Sequence, residues 1–184
     1  MLFEDENLLV ADKPRGIVAE EIAALFREEG KEIIPVHRLD RNTRGILLFA
    51  KNAAAEKALT DGFRARAFEK YYRARVYGVP AKQRACLTAY LVKDAARGFV
   101  KIYDEKVPGG AEIRTEYELE RDNGDGTSTL LVRLHTGKTH QIRAHLAHIG
   151  HFIVGDGKYG KAEINRRYGE KSQVLAAVRG FGCC

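Results

Sequence analysis

Asp40 closes the tetrapeptide His37-Arg38-Leu39-Asp40 and is followed by Arg41 and Arg44, so one carboxylate stands among cations directly before the apolar run 46–50. A carboxylate at the edge of a buried strand, with cations beside it, is held ionised and can act as a nucleophile or a base. A solvated ion-pair loop uses the same residue types, and the tetrapeptide alone does not separate the two. In 70–78 the period-two alternation of a strand puts Tyr71, Arg73, Arg75 and Tyr77 on one side and Tyr72, Ala74 and Val76 on the other. Tyr72 is then an aromatic on the apolar face, either a core tyrosine or a ring on which a base can stack. Arg73 and Arg75 make a basic face suited to phosphates.

The run 134–160 carries the third group of candidates. Ile142, Leu146 and Ile149 stand four and three apart, which predicts a helix over 139–149 with Thr139 as N-cap and Gly150 as its stop. On that helix His140 and Arg143 project together beside the apolar stripe. A guanidinium at a buried edge needs a carboxylate, and the helix has no acid, so the partner must come from elsewhere; Asp40 is the natural candidate. His135, His140, His145, His148 and His151 crowd one stretch, yet the spacing lacks H-E-x-x-H and no cysteine or carboxylate pair accompanies it. The expectation is no metal.

The elements that must position these residues can be read from punctuation and period. Residues 8–12 read as a buried strand ended by Lys13-Pro14-Arg15-Gly16, 18–30 as an amphipathic helix on Ile22, Leu25 and Phe26, and 46–50 as a buried strand. A helix follows over 52–66, then a strand over 69–79. Strand-like runs recur at 87–92, 99–103 and 113–119, and the turn Asn123-Gly124-Asp125-Gly126 joins the last of these to 128–134 in a hairpin. The expected class is α+β, a mixed and mainly antiparallel sheet with flanking helices. At 184 residues, without a repeat or linker, the chain is expected to form one domain, 1–184.

Composition excludes a membrane or disordered chain: 45% of residues are hydrophobic and 30% charged, and no apolar run approaches a membrane span. Acids at 4–6, where a secretory signal carries cations, point to the cytoplasm. The three cysteines, Cys86, Cys183 and Cys184, are expected as free thiols. A net charge of +6 favours a polyanionic partner, since each phosphate neutralised by Lys or Arg releases counterions.

Taken together, DKPRG, HRLDRNTRGILLFAK, KYYRARVYG, TEYEL and LHTGKTHQIRAHLAHIGHFIVGDGKYG, in this order over 8–160, strongly resemble the RluA-type pseudouridine synthases. The resemblance implies a mixed sheet around an RNA-binding cleft, no metal and no organic cofactor. It implies an isomerase that detaches the uracil of a uridine in ribosomal or transfer RNA and rejoins it through C5. Asp40 would be the catalytic aspartate, Arg143 the basic residue paired with it, and Tyr72 the tyrosine that stacks on the target base. Arg38 would fill the gap left by the flipped nucleotide. His37, Arg41, Arg73, Arg75, Lys138 and His140 complete the expected RNA-binding set. Arg44 stands where the family usually has Ser, and Lys138 where Arg is commoner. The S4-type module that many relatives carry ahead of the catalytic domain is expected to be missing, and 172–184 matches the closing strand of the family only loosely.

The partner is thus RNA, with no membrane and no obligatory protein partner. A catalytically inactive RNA-binding relative is the alternative, although such a protein should have lost Asp40, Tyr72 or Arg143. A glycoside-cleaving hydrolase would need a second acid, for which Asp156 is the only nearby candidate.

Overall fold

The computed structural model describes residues 1–179, in two compact units: Met1–Lys70 with the chain from Ala176 onward, and Tyr71–Leu175. Cys183 and Cys184 lie outside the described residues. Cys86 is a free, exposed thiol.

The elements run β1 (Phe3–Glu4), β2 (Leu8–Lys13), α1 (Ala19–Glu28), β3 (Ile34–Pro35), β4 (Arg44–Ala50), α2 (Ala53–Arg64), β5 (Lys70–Tyr77), β6 (Arg84–Asp94), β7 (Phe99–Tyr103), β8 (Ala111–Asp122), β9 (Thr127–Leu134), α3 (Gln141–His148), α4 (Ala162–Arg167) and β10 (Leu175–Arg179). The class is α+β with a mixed, mostly antiparallel sheet.

In the first unit the strand order is β1-β2-β4-β10. β4 pairs antiparallel with β2 along its length, from Leu8↔Ala50 to Lys13↔Gly45. Beyond it, β3 joins at Phe49 and Ala50, and β10 runs parallel to β4 at Arg44 and Gly45. Gly45 has φ +113, and a Cβ there would overlap the Ala177 backbone, so only glycine lets β10 approach. Leu9, Leu47 and Phe49 are wholly buried, each stabilising the fold by about 1.5–3 kcal/mol relative to exposure. Asn52 caps α2 by accepting the Ala55 N–H at 2.9 Å, and Phe63 on that helix lies 4.7 Å from both the His37 and Phe68 rings. α1 turns Ala19, Ile22 and Ala23 inward and leaves Leu25 53% exposed. The buried stripe therefore sits one step round the helix from the one expected, because small alanines complete it.

In the second unit the order is β5-β9-β8-β6-β7, with β8 antiparallel to both β6 and β9 and a bulge between Leu119 and Arg121. Ala74 and Val76 of β5 join Leu130, Val132, Ile142 and Leu146 in its core, and Tyr72 packs against that cluster from the same side. The N-cap of α3 falls one residue later than the Thr139 expected from the sequence. His140 occupies the N-cap position in the left-handed conformation, φ 55, without a side-chain cap. Gln141 explains the shift: its amide accepts from Thr136 Oγ1 (2.9 Å) and the Lys138 N–H (3.0 Å) and donates to the Arg114 carbonyl (3.2 Å) and Thr115 Oγ1 (3.0 Å). This fully engaged amide holds 136–140 as a loop.

Candidate active site

The expected site residues divide between the units, His37, Arg38, Asp40 and Arg41 in the first, Tyr72, Arg73, Arg75, Lys138, His140 and Arg143 in the second. The HRLD loop is built on a residue that pattern reading passed over. Lys13, the last residue of β2, is wholly buried, and its ammonium donates to the carbonyls of Pro14 (2.9 Å), Ile17 (2.7 Å) and Arg41 (2.9 Å). Burial pushes the Lys13 pKa down to about 8, the nearby Asp40 charge opposes this, and Arg41 adds to the fall. The Gly16 N–H also donates to the Arg41 carbonyl, and the Arg41 guanidinium returns to the Gly16 carbonyl (2.7 Å) and to both oxygens of Glu21 (2.8 and 3.2 Å). Arg41 thus ties the DKPRG turn to HRLD rather than presenting an uncommitted charge.

Asp40 itself is half-buried, follows the buried Leu39, and accepts the Thr43 N–H on its carbonyl at 2.9 Å. Arg38 beside it is exposed and forms no ion pair among the described residues. His37 has a different part. Its Nε2 accepts the Leu48 N–H at 3.0 Å and burial lowers its pKa to about 4, so the ring is a neutral brace for β4.

On β5 the alternation falls as expected, but the basic face meets acids. Arg73 makes a bidentate pair with Glu120 (2.6 and 2.9 Å). Arg75 bonds Asp125 (2.6 Å) and Thr127 (3.1 Å), with Glu170 3.9 Å away and the Tyr168 ring beneath its guanidinium. Alternation reveals which residues share a face, not which charges a neighbouring strand and turn bring to it.

Arg143 and His140 converge on a residue not selected from the sequence, Tyr159. The Arg143 guanidinium lies 5.2 Å from the Tyr159 ring centroid, and His140 Nδ1 is 2.9 Å from the Tyr159 hydroxyl. Asp156 is a carboxylate partner of Arg143 within the same unit: Nε donates to Oδ2 at 2.7 Å and Nη2 to Oδ1 at 3.0 Å. Asp156 stands in the turn after Val154, thirteen residues beyond Arg143, and sequence reading does not assign it to this arginine. Burial pushes the Asp156 pKa up, but the Arg143 hydrogen bonds and charge, with the N–H groups of Lys158 and Tyr159, outweigh it and hold the carboxylate below its usual range. Lys138 is exposed and without an ion pair among the described residues.

The clustered histidines disperse to separate partners. His135 meets Glu116 (3.0 Å), His145 Thr115 (3.0 Å), His148 Asp104 (2.9 Å) and His151 the Tyr77 carbonyl (3.0 Å). Among the described residues no group of three or more His, Cys, Asp or Glu is gathered as a metal would require. Nor does any described helix have the length and apolarity to cross a membrane.

Burial also lowers the His145 pKa to about 4, so His145 and His37 stay neutral in the fold where an unfolded histidine would gain a proton. Below about pH 6.5 the unfolded chain then binds more protons, and stability should fall as pH drops from there through 4. In the folded protein, the NMR signals of these two rings should hold their neutral positions down to about pH 5. A midpoint near the ordinary value would mean that the rings are hydrated.

Comparison with known proteins matches residues 7–148 to the family model of RNA pseudouridylate synthases. The dual-specificity RNA pseudouridine synthase RluA of Vibrio parahaemolyticus is 32% identical over 195 residues, covering 98% of this chain and 76% of that protein. The RluA of Escherichia coli K12 is 31% identical over 173 residues, covering 89% and 78%. Human RNA Pseudouridylate Synthase Domain Containing 1 superposes with a TM-score of 0.82 at 25% identity, over 95% of this chain and 74% of the human one. With its α+β fold and motif order, the chain belongs to the RNA pseudouridylate synthase family. It is an isomerase that converts uridine in RNA to pseudouridine.

Proposed function

We propose that the chain modifies a uridine of ribosomal or transfer RNA with Asp40 as the catalytic carboxylate, Tyr72 as the ring that stacks on the target base and Arg143 as the catalytic basic residue. Arg38 fills the place of the flipped nucleotide, which leaves its stack at a cost of a few kcal/mol. The N1–C1′ bond breaks, the uracil turns, C5 bonds to C1′, the C5 proton passes to solvent and N1 takes up a proton in exchange. Asp40 acts at C1′ as a nucleophile or at C2′ as a base, and the balance needs no oxidant or reductant. We assign the whole span 1–184 to this one catalytic function.

The observation that carries the reading is the construction around Asp40. A wholly buried lysine ties the Arg41 carbonyl beside Asp40 to the Pro14 and Ile17 carbonyls of the preceding turn and feels the aspartate's charge, and Thr43 closes the turn behind it. A solvated ion-pair loop has no use for a buried ammonium, whose desolvation costs several kcal/mol. RNA uniformly labelled with 5-tritiated uridine tests the proposal: one class of ribosomal or transfer RNA should release tritium, at a site that becomes pseudouridine. Tight RNA binding with no release from any of them would favour the inactive RNA-binding relative.

The salt dependence of RNA affinity identifies the cations that meet phosphate. Arg38→Ala and Lys138→Ala should each lower the slope of log Kd against log salt by about 0.7–0.9, one phosphate's worth. Arg73→Ala and Arg75→Ala should leave it near the parent value, because Glu120 and Asp125 already hold those guanidiniums. The reverse pattern would return the RNA to the β5 face.

A further inference from the structure

Arg143 is fixed far more completely than charge compensation requires. The bonds from its Nε and Nη2 to Asp156 form a side-on fork that sets the plane of the guanidinium, and the Tyr159 ring lies beneath that plane. Each of these partners is itself held. Asp156 Oδ1 also accepts the N–H groups of Lys158 (2.8 Å) and Tyr159 (3.1 Å), so the carboxylate cannot rotate without losing backbone bonds. Its own carbonyl takes Asn165 Nδ2 (3.0 Å), and Asn165 Oδ1 takes the Gly155 N–H (2.8 Å), which pins the turn to α4. At Gly155, φ +81, a side chain would collide with the Ser172 carbonyl, so the turn can sit this close only with glycine. The Tyr159 hydroxyl accepts from the Val100 N–H (3.0 Å) and bonds His140 Nδ1 (2.9 Å).

We infer that Asp156 and Tyr159 are positioning residues for the reaction, orienting the Arg143 guanidinium so that it acts as a directed donor rather than a mobile cation. The inference rests on the reading of Arg143 as a catalytic residue. A buried ion pair needs neither the ring nor the anchored turn, and a merely stabilising arginine could point in any of several directions. The directed donor needs both, since its third nitrogen is aimed by the two that Asp156 holds.

The test measures steady-state turnover of tritiated RNA and the folded fraction of each variant. Asp156→Asn keeps the size and loses the fork, whereas Asp156→Glu keeps the charge and moves it by one methylene. Both should lower kcat per folded molecule by about 100-fold, the scale of a displacement near 1 Å, with KM within about threefold of the parent. Tyr159→Phe, which keeps the ring and frees it from His140 and Val100, should lower kcat by about tenfold at unchanged KM. Parent-like kcat for Asp156→Glu would reduce Asp156 to charge compensation, and parent-like kcat per folded molecule for Asp156→Asn would make the network structural only; either overturns the inference. Should the Asp156 variants fail to fold, the Tyr159→Phe result decides. Arg143→Lys is the separate control. Full turnover there would remove Arg143 from catalysis, while its loss beside an unaffected Asp156→Asn would sink the positioning role alone.

Discussion

Asp40→Asn is expected to fold, to bind RNA with affinity close to that of the parent, and to lose isomerisation by more than about 10^4-fold, the scale at which removal of a nucleophile acts. The amide is nearly isosteric, so the Thr43 N–H to the Asp40 carbonyl and the Lys13 bonds to backbone are left in place. What changes is the charge. Without the carboxylate Lys13 loses an influence that favours its ammonium form, so its pKa should drop further below about 8. Tritium release and RNA affinity measured on one preparation check the first part. Persistent turnover by Asp40→Asn would remove this residue from the chemistry.

Arg143→Met should destabilise the fold by about 3–5 kcal/mol, because it strands the carboxylate of Asp156, a wholly buried residue, without its cation. The N–H groups of Lys158 and Tyr159 soften the loss, since they hydrogen-bond the same carboxylate. Combining the change with Asp156→Asn removes the orphaned charge and should recover much of that stability without restoring activity. Urea unfolding of the parent, both single variants and the double variant measures the coupling. If the two losses simply add, the fork between Arg143 and Asp156 contributes nothing to the fold.

Much of the local structure was legible because it depends on period and punctuation. The run 46–50, the alternating β5, and the turn 123–126 with its flanking strands all follow from hydrophobic spacing and glycine placement. The short elements were not. β1 and β3 are two residues each, β10 is five, and α4, six residues whose interior carries none of the apolar stripe of a packed helix, takes its place through Asn165. The start of α3 misled for another reason. Thr139 is a good cap by type, but the side chain that organises the preceding loop is Gln141, and glutamine is seldom read as a capping signal.

The candidate site divides in the same way. Asp40, Tyr72 and Arg143 stand in motifs that single them out by type and neighbourhood, and their catalytic roles are the proposal made above. Three acids that meet the cations were not assigned to them from the sequence, since Asp156, Glu120 and Asp125 reach Arg143, Arg73 and Arg75 through tertiary packing that leaves no local trace. Lys13 was visible only as part of DKPRG. A lysine ending an apolar strand looks exposed until three carbonyls are found around it.

The parallel pairing of β10 with β4 has a consequence for the order of synthesis. The first unit is discontinuous in the chain, since its last strand is encoded after the whole of Tyr71–Leu175, whereas the second unit is a single uninterrupted stretch. On the ribosome, β2 and β4 emerge early and can form their antiparallel pair, but the Arg44–Gly45 end of β4 must wait for Ala176 and Ala177. The contiguous stretch from Tyr71 can meanwhile close its local hairpins, which are the cheaper contacts in loop entropy. The strand carrying Asp40 at its threshold is therefore completed among the last elements of the polypeptide, and a chain interrupted before residue 176 leaves that loop on an unfinished sheet.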